Sequence, residues 1–175
     1  EYIIKVNLDK SSKKSSDSFS EGVRPIKEGI VIDHICRGQS PLAIRRHIST
    51  IIKVMRLESG KGGEWISTST KEPSIFKGII FRPGTYNLER KDLKRLAAVS
   101  PGCTLNIIKD GKINEKYRVH LPPRIYNFAD IACKNESCVS HPSHCEGVPP
   151  MFYKTKNDMY VCKYCGCIHS FAEIW

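Results

Sequence analysis

The chain has 175 residues, of which 40% are hydrophobic and 26% are charged. This composition is that of a globular protein able to bury a core, so wholesale disorder is excluded. No apolar run approaches the ~20 residues that a membrane helix needs, and no secretory signal is visible, so we expect a cytoplasmic protein without a membrane contact. Lys and Arg number 28 against 18 for Asp and Glu, and this net charge of +10 favours an anionic partner.

Residues 1–22 are predicted to form a flexible arm or linker. Six of the ten residues at positions 11–20 are serine, and only Phe19 is apolar. Such a segment cannot bury enough surface to offset the entropy cost of ordering it. Residues 1–8 contain Tyr2 and several aliphatic residues, so they are either the end of a preceding domain or an arm that docks on the rest of the chain.

An α+β domain is predicted over residues 23–121. Ser40 and Pro41 are typical of a helix start, because a hydroxyl caps the first turn and proline fits its first position. Asn87 is the expected cap of a second helix, and Asp110-Gly111 is a strong hairpin signal. The expected elements in chain order are a strand over Ile30–Ile35, a helix from Pro41 that ends before Gly60, strands over 64–70 and 74–81, a helix over Leu88–Val99, and hairpin strands over Thr104–Ile108 and Ile113–Leu121. This order predicts an antiparallel sheet with two helices on one face.

The character of the chain changes after Pro122-Pro123, and residues 122–175 are predicted to be a small β-rich domain. Six of the eight cysteines lie here, with short strands expected over Tyr160–Val161 and Cys167–Ile174. A unit of this size needs a cross-link, such as a metal ion or disulfide bonds, in addition to a hydrophobic core. Paired short cysteine spacings favour a metal ion over disulfides in a reducing compartment.

Two close cysteine pairs predict a structural zinc site. The pairs are Cys133-x4-Cys138 and Cys162-x2-Cys165, and thiolates from two tight turns can converge on one tetrahedral ion. Four thiolates leave no open position for water, so we expect one structural Zn²⁺ per chain rather than a catalytic metal. Cys167 is the strongest rival ligand. The other candidates nearby are Cys145, His141, His144 and His169.

Several polar residues interrupt the predicted strands of the first domain. Asp33 and His34 close one strand, and Asn106 lies inside an apolar one. Lys77 begins a third strand, and Lys116 lies in the last. Singly, each is expected to be a solvated surface residue. Together they supply a carboxylate for ribose hydroxyl groups, and cations and an amide for phosphate groups.

Five sequence motifs follow one another along the chain. They are Gly29-Ile-Val-Ile-Asp-His-Ile35, Pro101-Gly-Cys-Thr-Leu-Asn-Ile-Ile-Lys109, Leu121-Pro-Pro-Arg-Ile125, the Cys133-x4-Cys138 pair with Asn135, and Cys162-Lys-Tyr-Cys165. Together they closely resemble the regulatory chain of aspartate carbamoyltransferase. The resemblance covers roughly residues 23–170 and is tightest over 29–35 and 100–165.

The resemblance implies a ferredoxin-like sheet with two helices in residues 23–121, followed by a zinc domain in residues 122–175. The first domain looks like one that binds CTP and UTP as inhibitors and ATP as an activator in pyrimidine biosynthesis. The zinc domain resembles the one that docks on the catalytic chain, in a family whose regulatory chains form homodimers that link catalytic trimers. No catalytic constellation or Gly-rich phosphate loop is visible, so the chain is expected to be non-catalytic.

Carried over position by position, the resemblance also implies a nucleotide site. The matching positions are Val23 and Ile26 near the base, Val31, Asp33 and His34 on the strand that meets ribose and phosphates, Lys77 as a nucleotide-contacting lysine, and Asn106, Ile113 and Lys116 on the phosphate side. Two positions depart from the family pattern. The family's second lysine falls on Phe81 and a family tyrosine falls on Gly111, and these departures bear on base and ribose discrimination.

Two alternatives stay open at this point. Some members of the family are fused, with the catalytic part first, so residues 1–20 are either the join from such a part or the arm of a separate chain. The charge of +10 and the cysteines also fit a zinc ribbon that binds nucleic acid. Ribbons usually use x2 spacing in both pairs, and aromatic residues are sparse outside expected core positions, so a nucleic-acid partner is the weaker hypothesis.

Overall fold

A computed structural model describes residues 1–8, 26–57, 61–68 and 73–175. The predicted serine-rich linker at 11–20 and the candidate base-contacting residue Val23 lie outside these ranges. The chain divides into two compact units, residues 1–120 and residues 121–175, next to the domain junction expected from the sequence. Within the described ranges, every helix is too short or too polar to cross a membrane.

The first unit is a six-stranded antiparallel sheet with two helices on one face, which confirms the predicted α+β class. The strand order is β1-β6-β5-β2-β4-β3. The elements are β1 Ile3–Lys5, β2 Gly29–Ile35, α1 Pro41–Val54, β3 Gly63–Thr68, β4 Phe76–Pro83, α2 Arg90–Val99, β5 Thr104–Lys109 and β6 Lys112–Val119.

Strand β1 belongs to the N-terminal segment, which docks on the sheet. It pairs antiparallel with β6, placing Ile3 opposite Val119. Lys5 adds an ion pair with Glu115, with 3.3 Å between Nζ and Oε1. Residues 3–5 therefore add a sixth strand to the sheet.

Helix α1 starts where the sequence predicts and packs closely on the sheet. The Ser40 hydroxyl accepts a hydrogen bond from the Ala43 N–H at 3.3 Å. The helix buries Ile44 and Ile48 against β4 at Gly78, where an added Cβ would lie 2.7 Å from Ile44 Cγ2 and 3.1 Å from Ile48 Cδ1. A glycine at this position of β4 thus sets the short distance between helix and sheet.

The predicted start of the second helix is wrong by two residues. We expected Asn87 as the cap and Leu88 as the first residue, but α2 begins at Arg90 with Glu89 as its N-cap. The Glu89 N–H donates to Asp92 Oδ2 at 2.9 Å. This capping box satisfies amide groups that would be unpaired at the helix start, so it fixes where the helix begins.

The β5–β6 hairpin turns at Asp110-Gly111, as predicted. Asp110 has φ 51° and Gly111 has φ 70°, and two left-handed residues are the requirement of a type I′ turn. The turn pairs Lys109 with Lys112, and an irregularity between Ile107 and Ile108 then shifts the register by one residue, so that Asn106 lies opposite Lys116. Register in this hairpin matters because a slip by one residue would send every side chain to the other face.

The second unit contains a four-stranded antiparallel sheet of order β10-β9-β8-β7. The strands are β7 Arg124–Tyr126, β8 Met151–Lys154, β9 Tyr160–Cys162 and β10 Ile168–His169. The predicted strand over Cys167–Ile174 is too long, because Ser170 and Glu173 form a turn in which the Glu173 N–H donates to the Ser170 carbonyl at 3.2 Å. Phe152 and Tyr160 are fully buried and form the small core.

Candidate metal centre and anion-binding face

Four cysteine sulfurs converge in the second unit. The Sγ atoms of Cys133, Cys138, Cys162 and Cys165 all lie within 4.8 Å of one another. The Cys133–Cys165 distance is 3.6 Å and the Cys138–Cys162 distance is 3.7 Å. A tetrahedral zinc ion with Zn–S bonds of about 2.3 Å needs sulfurs about 3.8 Å apart. The residues present therefore fit the zinc ion that the sequence predicts.

Two tight turns deliver these ligands in pairs. In the first, the Cys138 N–H donates to the Asn135 carbonyl at 2.9 Å. In the second, the Gly166 N–H donates to the Cys162 carbonyl at 3.0 Å, and Gly166 has φ 73°, a conformation that favours glycine. The predicted spacing thus corresponds to two chain reversals that point their thiols at one centre.

The other candidate ligands near the metal centre lie outside the cluster of four sulfurs. The Cys167 sulfur accepts a hydrogen bond from Asn135 Nδ2 at 3.4 Å and lies outside the sulfur cluster. His169 is buried, and its Nε2 lies 3.4 Å from the Cys133 sulfur, a position for supporting a ligand rather than replacing one. Cys145 is exposed.

Hydrogen bonds also favour the thiolate form of one ligand. Burial opposes ionisation of Cys165, but hydrogen bonds from the Cys167 N–H and the Asn135 side chain lower its pKa to about 6. Burial raises the pKa of Cys133, so ionisation there needs the positive charge that a metal ion brings.

The first unit has a second candidate site on the face of its sheet turned away from α1 and α2, here called the distal face. Side chains alternate along a strand, and Gly78 meets α1, so the odd-numbered neighbours Ile79 and Phe81 point to the distal face. Strand pairing sets Val31 opposite Phe81 on one side and Asn106 on the other. Opposite residues of paired strands share a face.

These pairings form a row of side chains across four strands, here called the Val31 row. In the order β4, β2, β5, β6 its members are Phe81, Val31, Asn106 and Lys116. Neighbouring strands lie about 4.8 Å apart, so the two ends of the row are roughly 14 Å from each other. An aromatic ring therefore stands at one end and a cation at the other.

A charged group lies beside this row, at the end of β2. Lys77 Nζ lies 3.1 Å from Asp33 Oδ1 and 3.2 Å from Oδ2. The strand has a bulge after Ile32, and His34 adopts φ 62°, which brings His34 Nδ1 within 3.4 Å of both Asp33 Oδ2 and Thr104 Oγ1.

The surroundings of His34 disfavour the protonated form of its imidazole. Burial lowers the pKa of His34, and the nearby cations Lys77 and Lys116 lower it further, while Asp33 raises it. A negatively charged ligand at this place would favour the protonated ring.

Asn106 in the middle of the row is buried with an unsatisfied acceptor. Its side chain is 4% exposed, and its Nδ2 donates to the Val31 carbonyl at 3.4 Å. Its Oδ1 has no hydrogen-bond partner. Buried polar atoms without a partner are uncommon in native folds, and such an atom often marks a place where a ligand or water completes the bonding.

The other end of the distal face is apolar. Ile26, Val31, Ile79 and Ile108 form one buried cluster, and Phe81 and Ile113 pack against it while partly buried. Eight of the nine sequence-predicted nucleotide residues thus lie on or beside one face, and Val23 is outside the described residues. Sequence reasoning did not assign Ile79, Ile108 and Thr104 to the site. The period of two along β4 and β5 would have included them.

Exchanging the cysteines tests the metal centre. Cys133→Ser should lose the zinc ion and unfold the second unit, because three thiolates hold the ion poorly and its binding stabilises the fold. Cys167→Ser is the matched control and should retain one zinc ion per chain. Zinc content by atomic absorption and hydrogen exchange of each unit measure both effects. Zinc loss in Cys167→Ser but not in Cys133→Ser would contradict this ligand set.

Both units match models of known domains. Residues 21–120 match the allosteric domain of the aspartate carbamoyltransferase regulatory chain. Residues 123–175 match the metal binding domain of the same regulatory chain. Together the two models cover most of the sequence, in the order predicted.

Individual relatives support the same assignment. Protein PyrBI of Treponema denticola is 63% identical over the whole chain, and Protein PyrBI of Thermotoga maritima is 40% identical. The chain spans 33% of the length of each of these two proteins. The aspartate carbamoyltransferase regulatory chain of Methanothrix thermoacetophila is 33% identical over 82% of this chain and 87% of its own length. The chain with its paired sulfurs and its two matched domains belongs to the aspartate carbamoyltransferase regulatory chain family, the non-catalytic part of that enzyme.

Proposed function

We propose that the distal face of the first unit binds the nucleoside triphosphates CTP, UTP and ATP as allosteric effectors. The observation that carries this proposal is the Val31 row with the Asp33–Lys77 ion pair beside it. The row and the ion pair together combine a carboxylate, a buried amide and a cation within reach of one ligand. A nucleoside triphosphate presents hydroxyl donors and phosphate acceptors in one molecule, which this set of groups complements.

Each polar group of the site suits one part of such a ligand. Lys116 and Asn106 lie opposite each other on β5 and β6, so both can meet the same phosphate group. Asp33, on the central strand, accepts hydrogen bonds from ribose hydroxyl groups. The unpartnered Asn106 Oδ1 accepts a further donor from the ligand or from a bridging water molecule.

Lys77 positions the Asp33 carboxylate for this contact through an ion pair. Both side chains are only 16% exposed, and a carboxylate at such a depth is stabilised by a paired cation. The Asp33–Lys77 pair therefore holds the carboxylate in a fixed orientation. His34 at the edge of the site becomes protonated when phosphates approach, which adds a positive charge on binding.

Removing the Lys116 amine should weaken nucleotide binding. A charge-assisted contact is worth ~1.5–3 kcal/mol, so Lys116→Ala should lower the affinities for CTP and ATP by roughly tenfold or more. The affinities for both nucleotides should fall about equally, because both carry the triphosphate. Lys112→Ala removes an exposed lysine from the same strand and serves as the control. Isothermal titration of the full chain measures the affinities.

The same titration separates the alternatives. Unchanged affinities in Lys116→Ala would place the phosphates elsewhere. Tight binding of single-stranded DNA with a steep salt dependence, and no binding of nucleotides, would support the nucleic-acid hypothesis instead.

We further propose that the zinc unit docks on the aspartate carbamoyltransferase catalytic chain, and that regulatory chains pair as homodimers. One face of the second sheet is buried around Phe152 and Cys162, whereas its opposite face is apolar and accessible. The residues of this docking face, which share it by strand pairing, are Tyr126, Met151, Tyr153, Val161 and Ile168, with the exposed cation Arg124 at its edge beside Tyr126. Exposed apolar surface of this kind is typical of protein interfaces.

A charge placed on the docking face should prevent assembly. Ile168 is 63% exposed, so Ile168→Glu should leave the fold intact and abolish co-elution with a catalytic trimer from the same organism on size exclusion. Leu42→Glu is a matched control, because Leu42 is 61% exposed on α1. Assembly of Ile168→Glu at wild-type affinity would place the catalytic chain on another surface.

A further inference from the structure

Phe81 stands at the opposite end of the Val31 row from the phosphate-binding lysine. We infer that its ring carries the base of a bound nucleoside triphosphate, by stacking and apolar contact. This inference rests on the proposed function and adds the residue that meets the base. If Lys116 and Asn106 hold the phosphates on β5 and β6, and Asp33 holds the ribose on β2, the base extends over β4.

The surroundings of Phe81 suit an uncharged, planar group. The ring packs against the buried cluster that includes Val31, Ile79 and Ile108, and it is itself only partly buried. Apolar surface of this kind gains free energy by covering a flat base and gains none from phosphate. The distal face therefore changes from cationic to apolar along the row, as a nucleotide changes from phosphate to base.

The ring of Phe81 is also held in place by its neighbour on the edge strand. Gly63 on β3 lies opposite Phe81, and a Cβ added at Gly63 would lie 2.8 Å from Phe81 Cε1 and 3.2 Å from Cζ. The ring thus rests against the backbone of a glycine, and a larger residue would displace it. A ring fixed before the ligand arrives loses little conformational freedom on binding.

Stacking on Phe81 predicts a particular selectivity. Every base offers a flat π-face, so an aromatic platform accepts both purines and pyrimidines. A purine covers more of the ring than a pyrimidine does, so ATP should depend on Phe81 more than CTP does. Inorganic tripolyphosphate has no base and should not depend on it.

Titrations of the zinc-loaded full chain with ATP, CTP and tripolyphosphate test the inference. Phe81→Leu keeps the residue apolar but removes the aromatic face. Since base stacking is worth ~1–3 kcal/mol, ATP affinity should fall about tenfold and CTP affinity by less. Tripolyphosphate affinity should stay unchanged. Phe76→Leu, which alters an exposed phenylalanine on the same strand, should affect none of the three.

A second variant guards against a general loss of structure in Phe81→Leu. Gly63→Ala keeps the phenylalanine but displaces its ring. This variant should also weaken the binding of ATP more than the binding of tripolyphosphate. An equal loss of affinity for all three ligands would overturn the inference. Unchanged nucleotide affinities in both variants would also overturn it. If the unaltered chain binds neither nucleotide, the proposed function itself fails. If it binds both and only Lys116→Ala weakens them, the function stands and the role of Phe81 is wrong.

Discussion

The register of four antiparallel strands is the constraint on which the proposed effector site depends. Pairing of β4, β2, β5 and β6 places Phe81, Val31, Asn106 and Lys116 side by side, although they come from distant parts of the sequence. In the hairpin this register depends on the Asp110-Gly111 turn together with the one-residue shift between Ile107 and Ile108. A slip of one residue would turn Lys116 toward the helices and dissolve the site.

The two units are stabilised in different ways, which fits the separate roles proposed for them. The first unit buries an aliphatic core between its helices and sheet, and its distal face carries polar groups at one end and an apolar cluster with Phe81 at the other. The second is too small for such a core, so four thiolates around one metal ion take its place. The other face of its sheet leaves Tyr126 and Ile168 exposed, and this is the face proposed to meet the catalytic chain.

Local patterns in the sequence predicted the elements well, and long-range contacts account for what they missed. The cysteine spacings predicted a sulfur cluster, since each pair needs only one tight turn. The capping box at Glu89 was overlooked because Asn87 is also a good cap in isolation. The bulge at His34 and the ion pair between Asp33 and Lys77, 44 residues apart in sequence, depend on strand pairing, which no local pattern specifies. Phe81 departs from the family pattern, and its place opposite Val31 likewise follows from strand pairing.

Amide chemical shifts test the central claim most directly, namely that a nucleoside triphosphate lies along the Val31 row. The full zinc-loaded chain, labelled with ¹⁵N, is titrated with CTP and followed by NMR. The largest changes should fall on Val31, Asp33, Phe81, Asn106 and Lys116, with the amides of α1 and of the cysteine turns nearly unchanged. Saturable changes confined to the helices or to the second unit would contradict this account of the effector site.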